Sequence, residues 1–217
     1  ISACLVGSEM CIRDSGMTVV NFLYFFLRSI GASDYTGLGG YAAPRQFIAT
    51  MFGYVFTAKV CCGMTAEIGA MRINQEIDAL ESTGVDPMRF VVATRIGATL
   101  IFVPIAVAMS MVSQFFGEAF EAVFIIHGIT LASLAQVYWG IQTAADQIFA
   151  LVTTAAVGLT TALVACFYGL RTRGGPAAVG RSVARGMVVN LVLLHVIAAT
   201  FADIFYGTNL RTAIAGG

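Results

Sequence analysis

The side chains best suited to chemistry or recognition lie in one short stretch, residues 65–87, "TAEIGAMRINQEIDALESTGVDP". Glu67, Arg72, Asn74, Gln75, Glu76, Asp78 and Glu81 crowd into it, in a chain where only 11% of residues are charged. Ile73, Ile77 and Leu80 recur at i, i+4 and i+7, which predicts a short amphipathic helix with acidic and amide groups opposite an apolar stripe. The pattern reads equally as a solvated connector or as a charged docking surface, because any surface helix shows it.

Other candidates for chemistry are weaker. Adjacent Cys61 and Cys62 invite a metal or redox reading, but no second pair stands at ligand spacing. With Cys166 they sit in apolar runs, where cysteine acts as a small hydrophobe. His127 and His195 are far apart in the sequence, and neither accompanies a candidate nucleophile. His195 falls in the apolar run "NLVLLHVIAATFAD", where an isolated histidine is expected to bond a carbonyl of a neighbouring helix. The run "RGGPAAVGR" puts glycines beside arginines but lacks the preceding strand of a phosphate-binding loop. There is no G-x-x-x-x-G-K-[ST], no H-E-x-x-H and no G-x-S-x-G. The residues therefore predict neither an enzyme nor a nucleotide-binding chain, with no cofactor and no metal site of its own.

The elements that carry these residues are set by composition. Hydrophobic residues make up 58% and mean hydropathy is +0.84. A soluble domain carries roughly 25% charged residues, so this chain cannot clothe a globule in polar surface. The expected class is an all-α integral membrane protein. A net charge of zero also removes any basic-surface argument for nucleic acid. Runs near the ~20 apolar residues a span needs predict spanning helices over about 46–64, 88–113, 147–170 and 186–206. A shorter run, 17–30, contains Arg28 and reads as part of a fifth span or of an interfacial helix. Between 115 and 143, Glu118, Glu121, His127 and Gly128 interrupt the run. One or two surface helices are expected there, with Tyr138 and Trp139 at headgroup depth.

Basic residues orient the spans. Lys59, Arg72, Arg89 and Arg95 surround the loop after the first span, and Arg171, Arg173, Arg181 and Arg185 fill the loop between the last two. The segment 115–150 holds neither Lys nor Arg. By the positive-inside rule both basic loops are cytoplasmic, whereas loop 34–45, the 115–143 region and the C-terminus are outside. Gly84 is expected to close one helix in the left-handed conformation, and Asp86-Pro87 to cap and open the next. Pro104 is expected to kink that span. Gly158, Ala162, Ala165 and Gly169 form a small-residue stripe, read first as packing within the chain and second as a dimer seam.

The run "AEIGAMRINQEIDALESTGVDPMRFVVATRIGA" closely resembles the signature region of the MlaE/YrbE permease family. "CFYGLRTRGGPAAVGRSVARGMVVN" resembles that family's second signature. "GGYAAPRQF" and "FYGTNLRTAIAGG" look like its actinobacterial YrbE type, and the similarity extends from about Gly39 to the C-terminus. The resemblance implies a permease subunit of an Mce (mammalian cell entry) ABC transporter that moves lipid across the envelope. It implies that the 66–82 segment, with Glu67, Arg72, Glu76, Asp78 and Glu81, is a coupling helix docking on a separate ATPase, with Arg95 near the start of the next span. Gly174, Gly175, Pro176, Gly180 and Arg181 correspond to a second cytoplasmic turn. ATP and Mg would be held by the partner ATPase. The implied partners are that ATPase, a second YrbE-type permease and MCE-domain proteins on the outer face. A secondary transporter would instead call for internal repeats or facing intramembrane charges, which are not found. A membrane scaffold for envelope proteins stays open.

Residues 1–16, "ISACLVGSEMCIRDSG", carry neither the basic start nor the apolar core of a secretory signal, and no amphipathic period. "CLVGSEMCIRDS" resembles a translated sequencing adapter. The expectation is that residues 1–16 are not native and that 17–217 form one permease domain, truncated at its N-terminus.

Overall fold

The computed structural model describes residues 17, 24–32, 36, 45, 47–127 and 129–206. Among the described residues, four helices are long and apolar enough to cross a membrane: α1 (Ile48–Ile73), α3 (Met88–Ile126), α5 (Ala144–Leu170) and α6 (Pro176–Tyr206). The short helix α2 (Glu76–Ser82) joins α1 to α3, and α4 (Leu131–Gly140) joins α3 to α5. Helices are the form such a sequence must take, since lipid offers no partner for an open backbone N–H or C=O. The chain is an all-α integral membrane protein.

Three of the spans run further than the hydropathy pattern suggests. α1 continues to Ile73, so Glu67 and Arg72 belong to the end of a spanning helix and not to a separate amphipathic one. α3 continues to Ile126 and absorbs residues expected on surface helices. Glu118 is 0% and Glu121 5% exposed, so both carboxyls turn into the protein and the helix need not end for their sake. α6 begins at Pro176, well before the apolar run starts. Pro104 lies inside α3. Thr57–Cys61, Met88–Ala93 and Glu121–Ile126 have the wider π-helical turn.

Of the expected 17–30 span, Met17 and residues from Tyr24 onward are described. Residues 24–29 are helical, with Tyr24 and Leu27 buried. Arg28 Nη1 donates to the Tyr24 hydroxyl at 3.5 Å. The rest of that span, residues 1–16, the 34–45 loop apart from Thr36 and Arg45, and the chain after Tyr206 lie outside the described residues.

The residues group into two compact units. One comprises Gly53–Pro104 and Ala155–Ile197. Its core joins Ile68, Ile77, Val91 and Cys166, with Met64, Met71, Leu80 and Leu170 packed against them. The small-residue stripe serves packing within the chain: Gly158, Ala162, Ala165 and Gly169 are all buried. Thr65 Oγ1 donates to the Ala165 carbonyl at 3.2 Å, holding α1 against α5. A Cβ at Gly169 would stand 2.7 Å from Ile68 Cβ. Asn190 Nδ2 donates to Cys61 Sγ at 2.8 Å, tying α6 to α1. His195 bonds a carbonyl of its own helix, Leu191 O, at 2.7 Å rather than one on a neighbour. Its Nε2 meets the Tyr54 hydroxyl of α1 at 2.7 Å, and the ring is exposed. With Nδ1 donating to the carbonyl, Nε2 is left to accept from the phenol.

The other unit takes in the described residues up to Phe52, Ile105–Thr154 and those from Ala198 onward. Tyr24, Ala119, Ala122, Ile129 and Leu134 form its core, with Phe115 and Ile126 against them. Thr130 caps α4, its hydroxyl accepting from the Ser133 amide at 3.3 Å. Tyr138 is fully buried in the protein, while Trp139 is half exposed. Burial, with Glu118 nearby, pushes the Tyr138 phenol above its ordinary range, so it stays protonated. The Asp146 carboxylate accepts from three residues, with Arg45 Nε, the Tyr206 hydroxyl and Thr143 Oγ1 each at 2.8 Å and the Thr143 amide at 3.0 Å.

Candidate functional site

The charged stretch is built by two helix ends and the turn between them. α1 stops at Ile73, and Gln75 takes a left-handed conformation, φ 61°, that swings the chain into α2. Apolar contact then holds α2 down. Ile77 is 3% exposed in the cluster with Ile68 and Val91, and Leu80 packs beside it. Burying one such side chain contributes about 1.5–3 kcal/mol. The charges consequently point the other way: Glu76, Asp78 and Glu81 are exposed. Glu76 and Asp78, in the first turn of α2, also sit at the positive end of the helix dipole.

The C-terminus of α2 closes as the sequence indicates. Gly84, φ 80°, lets its own amide reach the Glu81 carbonyl at 3.0 Å while the Val85 amide reaches Leu80 at 3.2 Å. These paired bonds satisfy carbonyls that the helix end would leave open. Asp86 Oδ1 accepts from the Met88 amide at 2.9 Å, capping α3.

Two ion pairs brace this surface. Arg72 Nη1 donates to Asp78 Oδ1, fastening α2 to the end of α1. Arg95 Nη2 meets Glu67 Oε2 at 3.0 Å, joining α3 to α1, and Arg95 Nη1 also donates to the Val91 carbonyl at 3.1 Å. The arginine of that second pair is 20% exposed and the glutamate 65%, so the bond orients more than it stabilises. Of the six charged residues singled out in the sequence, four are thus paired as Arg72–Asp78 and Glu67–Arg95. Glu76 and Glu81 present open carboxylates on α2, Glu76 within 3.4 Å of the Asn74 amide.

The second turn is shorter than its signature. Gly174, φ 110°, and Gly175 turn the chain, but Pro176 already opens α6, and Gly180 and Arg181 are helical. Proline suits that first position because its missing N–H would be unpaired there anyway. Thr172 anchors the turn, its hydroxyl donating to the Tyr168 carbonyl at 3.0 Å and free to accept from the Ser182 hydroxyl at 2.9 Å. A Cβ on Gly69 would stand 3.2 Å from Thr172 Oγ1, so the turn sits directly on α1. The contacts of Gly69 with Thr172 and of Gly169 with Ile68 bring the two signature regions together. Residue patterns alone did not reveal this, because the partners lie about 100 residues apart. Among the described residues no group of His, Cys, Asp and Glu could hold a metal ion, and Cys61, Cys62 and Cys166 are free thiols.

A set of long apolar helices whose charged connector folds back onto one end describes a multi-span membrane protein. The family model described as Permease MlaE matches residues 14–204, and the chain belongs to that family. It is similar to a probable ABC transporter permease protein of Rickettsia prowazekii (strain Madrid E), 22% identical over 215 residues, covering 93% of this chain and 83% of that protein. It is 26% identical over 201 residues to a probable ABC transporter permease protein of Synechocystis, covering 90% and 71%. It is 22% identical over 192 residues to the chloroplastic protein TRIGALACTOSYLDIACYLGLYCEROL 1 of Arabidopsis thaliana, covering 86% of this chain and 53% of that one. The chain is therefore a multi-pass membrane permease of the ABC-transporter kind.

Proposed function

We propose that this permease moves lipid across the cell envelope as the membrane subunit of an Mce-type ABC transporter, driven by a separate ATPase docked on residues 66–82. One observation carries the reading: α2 is pinned by Ile77 and by the Arg72–Asp78 bond, yet exposes the carboxylates of Glu76 and Glu81, neither held by a basic side chain among the described residues. A helix rigidly tied to the first span, with open carboxylates, can pass a push from a basic partner surface into the membrane. The Glu67–Arg95 bond would carry it on to α3. ATP and Mg belong to that partner, and this chain binds neither. The relative whose name contains a galactolipid supports a lipid cargo, and fatty acid, sterol and phospholipid all fit the apolar spans. The remaining partners are a second YrbE-type permease, identical or different, and MCE-domain proteins on the outer face. The chain sits in the inner membrane with its basic loops cytoplasmic and its C-terminus outside.

The test is to co-express the chain with its genomic neighbours, purify the complex and measure ATP turnover with and without Glu76→Lys. Charge reversal is expected to release the ATPase or uncouple its turnover. Failure of any ATPase to copurify, or unchanged assembly and turnover in the variant, would overturn the docking assignment. Mass spectrometry of extracts from the purified complex identifies the lipid.

A further inference from the structure

Beside the docking region lies an open groove of about 670 Å³ between the start of α3, the end of α5 and α6. Met88, Val92, Leu163, Phe167 and Val189 line it, giving it apolar walls. Its polar lining is concentrated at one end, in Arg171 and Tyr168. The Arg171 guanidinium carbon lies 4.3 Å from the centre of the Phe167 ring. Stacking on a ring face uses the flat side of a guanidinium and leaves its N–H edge open to an acceptor. No carboxylate among the described residues pairs with Arg171, although it ends a membrane span. Arg173 follows two residues on, and Arg89 next to Met88 is 91% exposed on its side chain, held only by Asp86 at 3.8 Å.

From this we infer a binding site for one anionic phospholipid, with an acyl chain along the groove and the phosphate on Arg171. The occupant follows from two features. An apolar groove on the side of a spanning helix is filled in a membrane by an acyl chain. A cation stacked and unpaired at the end of that groove, with other arginines beside it, selects an anionic headgroup over a zwitterionic one. Occupancy would brace the ends of α3 and α5 that frame the docking region. The site requires only that the chain be embedded in a bilayer and holds whether or not lipid is also the cargo.

The test uses the full chain with its native Trp139 replaced by Phe and a tryptophan reporter introduced as Leu163→Trp, or as Met88→Trp in a second preparation. Each is reconstituted in vesicles containing either dibrominated phosphatidylglycerol or dibrominated phosphatidylcholine, and bromine quenching of the reporter gives relative binding. The expected preference for phosphatidylglycerol is about fivefold, the factor that one basic side chain near a membrane surface supplies. Arg171→Gln should reduce it to parity, and Arg171→Lys should restore part of it. Equal quenching by the two lipids at both reporters would overturn the site. So would a preference that survives Arg171→Gln in a protein with an unchanged helical spectrum. ATP turnover of the complex is not part of this readout, so the site and the transport reading fail separately.

Discussion

Replacing Gly169 by alanine tests whether the close approach of α5 to α1 holds the proposed docking region in place. The added Cβ would meet Ile68 Cβ at 2.7 Å, Ile68 Cγ2 at 3.0 Å and the Thr65 carbonyl oxygen at 3.3 Å. Carbon atoms rest at roughly 3.5–4.0 Å, so the helices must part by about 1 Å at this level. Neither neighbour can yield cheaply. The nearest atom of Ile68 is its own Cβ, fixed to the backbone, and Ile68 is fully buried in the cluster that also holds Ile77. Overpacking of this kind costs about 1–3 kcal/mol, less the roughly 0.5–1 kcal/mol that alanine gains over glycine inside a helix. Gly97 provides the control: it is also helical, but a Cβ there meets nothing within 4 Å, so Gly97→Ala should be neutral or stabilising. The assay is equilibrium unfolding in mixed detergent micelles, read by circular dichroism, with ATP turnover of the assembled complex alongside. Gly169→Ala should lower stability and weaken coupling, while Gly97→Ala should do neither. If both variants were as stable and as well coupled as the parent, the close contact would not be what holds α1 and α5.

Other consequences are simpler to check. A double-mutant cycle over Glu67→Gln and Arg95→Gln should give about 0.2–1 kcal/mol of coupling that shrinks as salt is raised, because the glutamate is largely exposed. Gly84→Ala should cost about 1 kcal/mol or more through its positive φ, with Gly84→Asn milder, both measured by unfolding. Glu118 is fully buried, and its nearest recorded polar contact is the Gln114 amide at 3.3 Å, with no basic side chain paired to it among the described residues. Glu118→Gln, which keeps the shape, should shift stability by no more than about 1 kcal/mol. Glu118→Lys, which buries an uncompensated cation, should abolish folded protein in size-exclusion chromatography.

Much of the fold was legible because lipid leaves few choices. Long apolar runs have to be helices, and the cap residues Gly84, Asp86 and Pro87 have local conformational preferences that need no distant partner. Helix ends were less legible. α3 runs on through Glu118 and Glu121 because both find a protein-facing side, while α1 runs on through Glu67 and Arg72, which pair with Arg95 and Asp78. Hydropathy averages over all faces and cannot register that. The same limit applies to His195, which bonds within its own helix and to Tyr54.

The candidate site divides along the same line. Composition and the 3.6-residue period alone determined that this is a helical membrane protein whose charges concentrate on one short connector, since both signals are local and additive along the chain. Only the tertiary structure decided that Arg72 holds Asp78, that Arg95 holds Glu67, and that Gly69 and Gly169 let the two signature regions touch. Those are contacts between residues that no periodicity links. They exist because packed helices place side chains from distant parts of the chain within bonding distance.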